Sequence, residues 1–304
     1  MKILITGSSG QLGKSILNKK PSDFDILSPS KDELDLSDME NLRRYLRMHK
    51  PTFVINCAAF TNVEKAEDFK ELAYLINADA PKIIAEELKI YGGNLLHIST
   101  DYVFDGNSNS PYKEDNMRNP ISSYGYSKAK GEEFIEKIFY KERQLIILRV
   151  SWLVGPYGKN FIPTILKLHS EKNSLNVVCD QIGVISSTLD VAEICWKIIS
   201  KWSLISEKTN ILHWSCQGIS SWYDIAIAIG DIAMELGILN KKSEIIPIKS
   251  EEYNSLVNRP RYSILDSTNT KGIIKMSSKY WRHELIDILK EIKKVYPNQF
   301  SSTN

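Results

Sequence analysis

The stretch SSYGYSKAKGEE (122–133) holds two tyrosines, each with a lysine four places downstream: Tyr124 with Lys128, and Tyr126 with Lys130. One helical turn separates the members of each pair, so each pair shares a helix face. Such a pair can donate a proton to a developing alkoxide. A free phenol has a pKa of about 10, and a neighbouring ammonium favours the phenolate, which brings the acid closer to operating pH. Spacing does not choose between the pairs, because a chain with 14 tyrosines and many lysines is expected to contain such a match.

The helical period does choose. With Tyr124 at zero and about 100° per residue, Phe134, Ile135, Ile138 and Phe139 fall within roughly 80° of it. Lys128 shares that side, as does Gly131, which would let another backbone come close. Tyr126 and Lys130 fall on the opposite side with Glu133, Glu136 and Lys137. The spacing therefore predicts that Tyr124 and Lys128 face inward and that Tyr126 and Lys130 face water. A packed core tyrosine is the competing reading of Tyr124. A second hydroxyl would come from Ser99 or Thr100 in HISTDYVF, at the C-terminal end of a strand, where open α/β sheets bind ligands.

A second group of residues could hold a cofactor. TGSSGQLG places Gly7, Gly10 and Gly13 between the run KILIT and the helical pattern QLGKSILNKK. Without a Cβ the backbone can turn tightly against a pyrophosphate, and the helix N-terminus offers N–H donors. The position, in the first strand-to-helix turn, favours dinucleotide binding over a purely structural turn. The next strand ends ILSPSK, with Ser28, Ser30 and Lys31 where an acid would bind a ribose hydroxyl. Those residues could receive a 2′-phosphate, which leans towards NADPH and leaves NADH open. Asp35 could lie near an adenine or serve as an acid at a helix start.

These groups need a scaffold, and the pattern supplies one. KILIT, FDILSP, TFVINCAA, NLLHIST and QLIILRVSWLVG are β-rich runs alternating with helical stretches. That alternation predicts an α/β fold: a Rossmann-type doubly wound parallel sheet. The second half changes character, with helical NFIPTILKLHSEKNS, SSWYDIAIAIGDIAMELGI and KYWRHELIDILKEIKKVY and short strands NILHWS and EIIPI. It predicts a smaller, interleaved α/β substrate lobe. The expected division is 1–155 with 186–217 for the dinucleotide domain, and 156–185 with 218–304 for the lobe.

Composition narrows the class. The chain has 304 residues, 42% hydrophobic and 25% charged, which fits a globular protein with a full core. A net charge of +2 with intermixed signs gives no footprint for nucleic acid. Cysteines 57, 179, 195 and 216 show no metal or disulfide spacing, and the five histidines are scattered, so no metal is expected. The start MKILITGSSG is too short an apolar run for a signal peptide, and no run approaches a membrane span. The expectation is a cytoplasmic protein.

TGxxGxxG, STDYVF and YGxSKxxGE, in this order, resemble the extended short-chain dehydrogenase/reductase family. More narrowly, INCAAFTNVEKAE, STDYVFDG, LRVSWLVG, NFIPTIL, DQIG, SSWYDIA, RPRYSILD and WRHEL are similar to the dTDP-4-dehydrorhamnose reductases. The resemblance covers nearly the whole chain. It implies Thr100, Tyr124 and Lys128 as the catalytic set. It implies Gly7, Gly10, Gln11, Leu12 and Gly13 in the cofactor loop, with Ser30, Lys31, Asp35 and Leu36 further along and Ala58 and Ala59 beside the cofactor. Val63, Thr100, Asp101, Tyr124 and Trp152 would contact the sugar, and Arg259 the nucleotide diphosphate.

The implied reaction is NADPH-dependent reduction of the 4-keto group of a nucleotide-linked 6-deoxyhexose. Another reductase or epimerase of the same scaffold, with Asp101 as acid/base, is the nearest alternative. A regulatory subunit similar to that of methionine adenosyltransferase is the non-catalytic one. The implied partner is the nucleotide sugar, with a homodimer as an option. Two departures fall in the substrate half: DQIGVISS has Ile185 and Ser186 where the family carries Pro and Thr, and Tyr262 stands where an Asn is common.

Overall fold

The computed structural model describes residues 1–253, 257–297 and 299–300. The chain opens with β1 (Lys2–Thr6), α1 (Gln11–Asn18), β2 (Asp25–Leu27), α2 (Met39–His49) and β3 (Phe53–Asn56). It continues with α3 (Val63–Asp68), α4 (Lys70–Tyr74), a π-helical turn (Leu75–Asp79) and α5 (Ala80–Tyr91). β4 (Asn94–Thr100), α6 (Ser123–Ile138) and β5 (Leu145–Val150) follow.

Six strands form one parallel sheet in the order β10-β5-β4-β3-β1-β2, where β10 is Ile211–Trp214. β3, β4 and β5 are buried almost throughout, as strands covered on both faces must be. One face packs Ile3, Ile5, Ile55, Leu96 and Leu148 against Leu12 and Ile16 of α1 and against Val191, Cys195 and Ile198 of α8 (Thr188–Ser200). The other packs Leu4, Val54, Leu95 and Ile147 against α2, α5 and α6. The expected doubly wound fold is therefore present. The chain runs from β1 to β2 on one side and then to β3 on the other, so the topological switch lies between β1 and β3. Ligands bind above such a switch, at the carboxyl ends of the strands.

The second half carries β6 (Leu153–Val154), α7 (Phe161–Glu171), β7 (Ser174–Val178), β8 (Ile182–Gly183) and β9 (Ser186–Ser187). After α8 come α9 (Trp202–Ser206), β11 (Ser220–Ser221), α10 (Trp222–Glu235), β12 (Glu244–Ile248), α11 (Thr268–Ile274) and α12 (Trp281–Val295). A separate core gathers Leu166 of α7, Ile229 of α10 and Leu285 and Ile288 of α12, with Val177 of β7 beneath them. α11 differs from the expected division. Its Ile274 sits in the core of the main sheet, and its Thr270 hydroxyl accepts from the His213 amide of β10 at 3.0 Å.

The long helical pattern after β3 is also interrupted. Phe69 breaks it, and the π-helical turn follows. In that turn the Asn77 side chain accepts from the Phe60 amide (2.8 Å) and donates to the Phe60 carbonyl (3.0 Å) and the Ser127 hydroxyl (3.0 Å). One side chain thus ties the loop after β3 to α6. Single π-bulges of this kind are frequent at functional sites.

Candidate active site

Each element that ends at the switch brings a functional group. Gly7 follows β1 with φ +66°, and a Cβ there would lie 2.8 Å from the Ala58 backbone. A Cβ on Gly13 would lie 2.2 Å from the Gly7 carbonyl oxygen. Both positions need glycine for close approach, not merely for flexibility. Gly10 is the N-cap of α1 without a side-chain cap, so the first helical amides stay available to an anion.

α6 delivers the Tyr–Lys pair. Ser122 caps it, its hydroxyl accepting from the Gly125 amide at 3.1 Å. A Cβ on Gly125 would sit 2.2 Å from the Tyr102 carbonyl oxygen, so the helix start rests on the turn that leaves β4. That contact brings Tyr124 beside Thr100 and against Tyr102, with ring centroids 5.5 Å apart. Gly131 faces the Asn77 carbonyl at 2.2 Å from its would-be Cβ, the backbone approach expected of it. Lys128 is buried and Tyr124 half-buried, whereas Tyr126 is 51% exposed and Lys130 pairs with Glu133 at the surface. The helical period chose the inward pair.

One expectation about this pair is corrected. The Tyr124 phenol is raised on balance, not lowered. Lys128 Nζ donates to the Ile98 carbonyl at 2.8 Å and lies 3.2 Å from His97 Nε2. Burial raises the Tyr124 phenol well above its ordinary value, hydrogen bonding to Thr100 opposes this, and Asp101 and Tyr102 add to it. Burial also brings Lys128 down to about 8, with Glu132 and Cys57 opposing. Thr100 donates its hydroxyl to Asp101 Oδ1 at 2.9 Å. Burial pushes the Asp101 carboxyl up to about 7.

The glycine loop and the Tyr–Lys pair line one cleft of about 710 Å³. Its walls include Gly7, Gly10, Gln11, Leu12 and Gly13, then Ser30, Lys31, Asp35 and Leu36, then Ala58 and Ala59. Val63, Thr100, Asp101, Tyr124, Lys128, Trp152 and Arg259 complete them. Apart from Ser28, the residues singled out from the sequence for catalysis or binding thus meet in one place. Ser28 is not part of the lining, and its carbonyl accepts from Ser8 instead. Asp35 does not start α2. It accepts from Ser37, while Asp38 caps the helix. Neither Ile185, Ser186 nor Tyr262 lines the cleft, so the departures from the family pattern lie behind the wall.

Other lining residues were not anticipated. Trp222 stacks on Trp152 with centroids 3.8 Å apart, and Phe161 leans on Trp222 at 4.5 Å. Trp152 itself adopts φ +45°, an unusual state for a bulky residue. Tyr102, Glu64 and Arg259 form a linked group: Arg259 pairs with Glu64 and reaches the Tyr102 hydroxyl at 3.4 Å. The SSWYDIA motif contained Trp222, but a tryptophan at a helix start reads equally well as core. Cys57 also lines the cleft, and burial pushes its thiol up to about 12.

A parallel sheet with a glycine loop at its switch and an inward-facing Tyr–Lys pair above β4 defines a Rossmann-type dehydrogenase/reductase of the extended short-chain class. The comparisons with known proteins narrow this. The RmlD substrate binding domain family matches residues 1–294. The spore coat polysaccharide biosynthesis protein SpsK of Bacillus subtilis is 36% identical over 95% of this chain and 97% of its own. A dTDP-4-dehydrorhamnose reductase of Aggregatibacter actinomycetemcomitans is 35% identical over 94% and 98%. The structure of the dTDP-4-dehydrorhamnose reductase of Bacillus anthracis, solved with NADP, superimposes with a TM-score of 0.87 at 32% identity, covering 95% and 99%. The chain belongs to the dTDP-4-dehydrorhamnose reductase family.

Proposed function

We propose that the protein reduces the 4-keto group of a nucleotide-linked 6-deoxyhexose, converting dTDP-4-dehydro-6-deoxy-L-mannose to dTDP-L-rhamnose. The observation that carries this reading is the single cleft in which the glycine loop, Thr100, Tyr124 and Lys128 converge. NADPH is the proposed reductant, as in the relative solved with NADP, and NADH is the second candidate. The residues present fit such a group: a Cβ at Gly7 or Gly13 would collide with backbone, and the uncapped start of α1 faces the cleft. Gly7, Gly10, Gln11, Leu12 and Gly13 would hold its pyrophosphate, Ser30 and Lys31 its 2′-phosphate, and Ala58 and Ala59 would pass beside it. Asp35 and Leu36 would lie near the adenine.

A bound reduced nicotinamide supplies hydride to the sugar carbonyl carbon. The chain's own residues do the rest. Tyr124 gives its proton to the carbonyl oxygen as charge develops there. Burial keeps that phenol protonated at neutral pH. The Thr100 hydroxyl binds the same oxygen, and the Lys128 ammonium stabilises the tyrosinate left behind. Asp101, Val63 and Trp152 would orient the sugar, and Arg259 the diphosphate. The division 1–155 with 186–217 against 156–185 with 218–304 belongs to the same proposal, α11 alone packing back on the main sheet, with a cytoplasmic location and a homodimer as an option. The separate core of α7, α10 and α12 supports it.

The test is NADPH oxidation against a panel of 4-keto-6-deoxy nucleotide sugars. Stoichiometric oxidation with dTDP-4-dehydro-6-deoxy-L-mannose supports the reading. Cofactor binding without turnover of any panel member overturns it. A second reading has one observation in its favour: Asp101, held at about 7 beside Thr100, could serve as acid/base in an epimerase or dehydratase. Product formation without net NADPH consumption would select it.

A further inference from the structure

A row of buried polar side chains crosses the sheet beneath Lys128. Thr6, Asn56 and His97 are cross-strand neighbours on β1, β3 and β4. All are at most 2% exposed. They lie on the α6 face, where Leu4, Val54 and Leu95, two residues earlier on each strand, form apolar core. The Thr6 hydroxyl donates to Asn56 Oδ1 at 2.6 Å. The Asn56 amide nitrogen lies 3.0 Å from His97 Nδ1, and His97 Nε2 lies 3.2 Å from Lys128 Nζ. Burying polar groups in a parallel sheet is unfavourable unless each finds a partner, and here both ring nitrogens do.

We infer that His97 is a positioning residue for the site, holding Lys128 Nζ through Nε2 while Asn56 and Thr6 fix the ring from behind. The inference rests on the proposed reduction, in which Lys128 serves Tyr124. The alternatives for holding the lysine are few. Glu132, one turn along α6, is taken by Arg149 and Arg118 at 2.7 and 2.8 Å. The other titratable groups near Lys128 are Cys57 after β3, Tyr124 on α6, Arg149 on β5 and Asp101 beyond β4. None of these hydrogen-bonds Nζ, which leaves His97 and the Ile98 carbonyl as its partners among the described residues.

The row also carries a direction. As placed, hydrogen bonds run from Thr6 to Asn56 to His97 Nδ1, which puts the ring proton on Nε2, facing an amine. With Lys128 charged, Nε2 must accept instead. Nδ1–H then donates to Asn56, whose amide turns over to donate to Thr6. His97 stays neutral in both states, because burial and then the lysine charge hold its pKa well below the ordinary value. Loss of the Nε2 acceptor weakens the ammonium more than the amine.

The test compares His97→Asn with His97→Gln. Both side chains are polar, but only glutamine reaches as far as Nε2. Asparagine stops at the position of Nδ1. His97→Asn is expected to lower kcat about tenfold at unchanged KM and to move the alkaline limb of kcat down by about one pH unit. His97→Gln is expected to stay within about threefold of wild type and to restore the limb. The titration of Lys128, followed by NMR with carbon-labelled lysine and no substrate, should move with the limb. Equal kcat and equal lysine titration in the two variants would overturn the inference, whatever each does to the melting temperature. Absence of turnover in the wild type would remove the proposed reduction alone, since the lysine titration still distinguishes the variants.

Discussion

Gly125→Ala tests how the site is assembled. Propensity alone favours the change, since alanine in a helix interior is more stable than glycine by about 0.5–1 kcal/mol. The new Cβ would nevertheless lie 2.2 Å from the Tyr102 carbonyl oxygen and 3.1 Å from Pro120 Cβ. The first neighbour is backbone and cannot swing aside. Ordinary contact begins at 3.4 Å, so the α6 start must retreat from the β4 turn by about 1 Å. The far part of the helix is anchored, because Gly131 sits on Asn77 and Glu132 is paired with Arg149. The displacement therefore falls on Tyr124, one residue before the substitution, and separates it from Thr100.

A misplacement of about 1 Å in a reacting group costs on the order of 100-fold in rate. Steady-state NADPH oxidation should show that loss in kcat, with cofactor affinity changed far less, because the glycine loop is untouched. Gly272→Ala is the control: it is an exposed helical glycine in α11 whose Cβ would meet nothing within 4 Å. It should raise stability by about 0.5–1 kcal/mol and leave kcat alone. A Gly125→Ala enzyme with kcat within threefold of wild type would refute the reasoning that this glycine sets the Tyr124–Thr100 approach.

Tyr124→Phe should lower kcat by roughly 10²–10⁴, the contribution of a positioned general acid, while Tyr126→Phe, on the exposed face, should stay within about twofold; equal losses in the same assay would count against the inward assignment. Gly183→Ala places a Cβ 2.6 Å from the Trp152 ring, which also stacks on Trp222. The ring must move into the cleft, so KM for the sugar should rise roughly tenfold with cofactor affinity unchanged; an unchanged KM would show that Trp152 does not touch substrate. Burial pushes the Glu132 carboxyl up, but Arg149 and Arg118 more than offset it and leave it at about 2 against 4.5 unfolded. Its stabilisation, about 3 kcal/mol, is present above pH 4.5 and lost as pH falls through about 2. Thermal melts should decline over that window, and Glu132→Gln should flatten the decline while costing about 3–5 kcal/mol at neutral pH.

The inward face of α6 was legible because it obeys a periodic rule. The apolar positions of α6 repeat with the helix, and Tyr124 and Lys128 fall in phase with Ile135 and Phe139. The glycine loop was legible because it sits at the first strand-to-helix turn. What escaped were features that break a local rule. Asn77 lies in a π-turn that interrupts a helical pattern, and its side chain bonds Phe60 and Ser127, far from it in sequence. Trp152 takes a positive φ that no side-chain preference suggests. The expected net lowering of the Tyr124 phenol failed for a related reason: helical spacing sets which face a lysine shares, not how deeply the phenol beside it is buried.

Polar residues inside the sheet also serve to place α6. Two rows cross the α6 face: Thr6, Asn56 and His97, and then Ser99, Arg149 and His213, neighbours across β4, β5 and β10. Apolar side chains would pack there at lower desolvation cost. Each row instead ends on α6, the first at Lys128 and the second at Glu132. These residues are one turn apart on the helix that carries Tyr124. The two rows therefore fix the helix in rotation and in register against the sheet, which an apolar interface of similar volume would specify less sharply. Loss of the Arg149–Glu132 pair should then reduce kcat as well as stability, and a Glu132→Gln enzyme that remains folded at low temperature with full kcat would show that the second row serves stability alone.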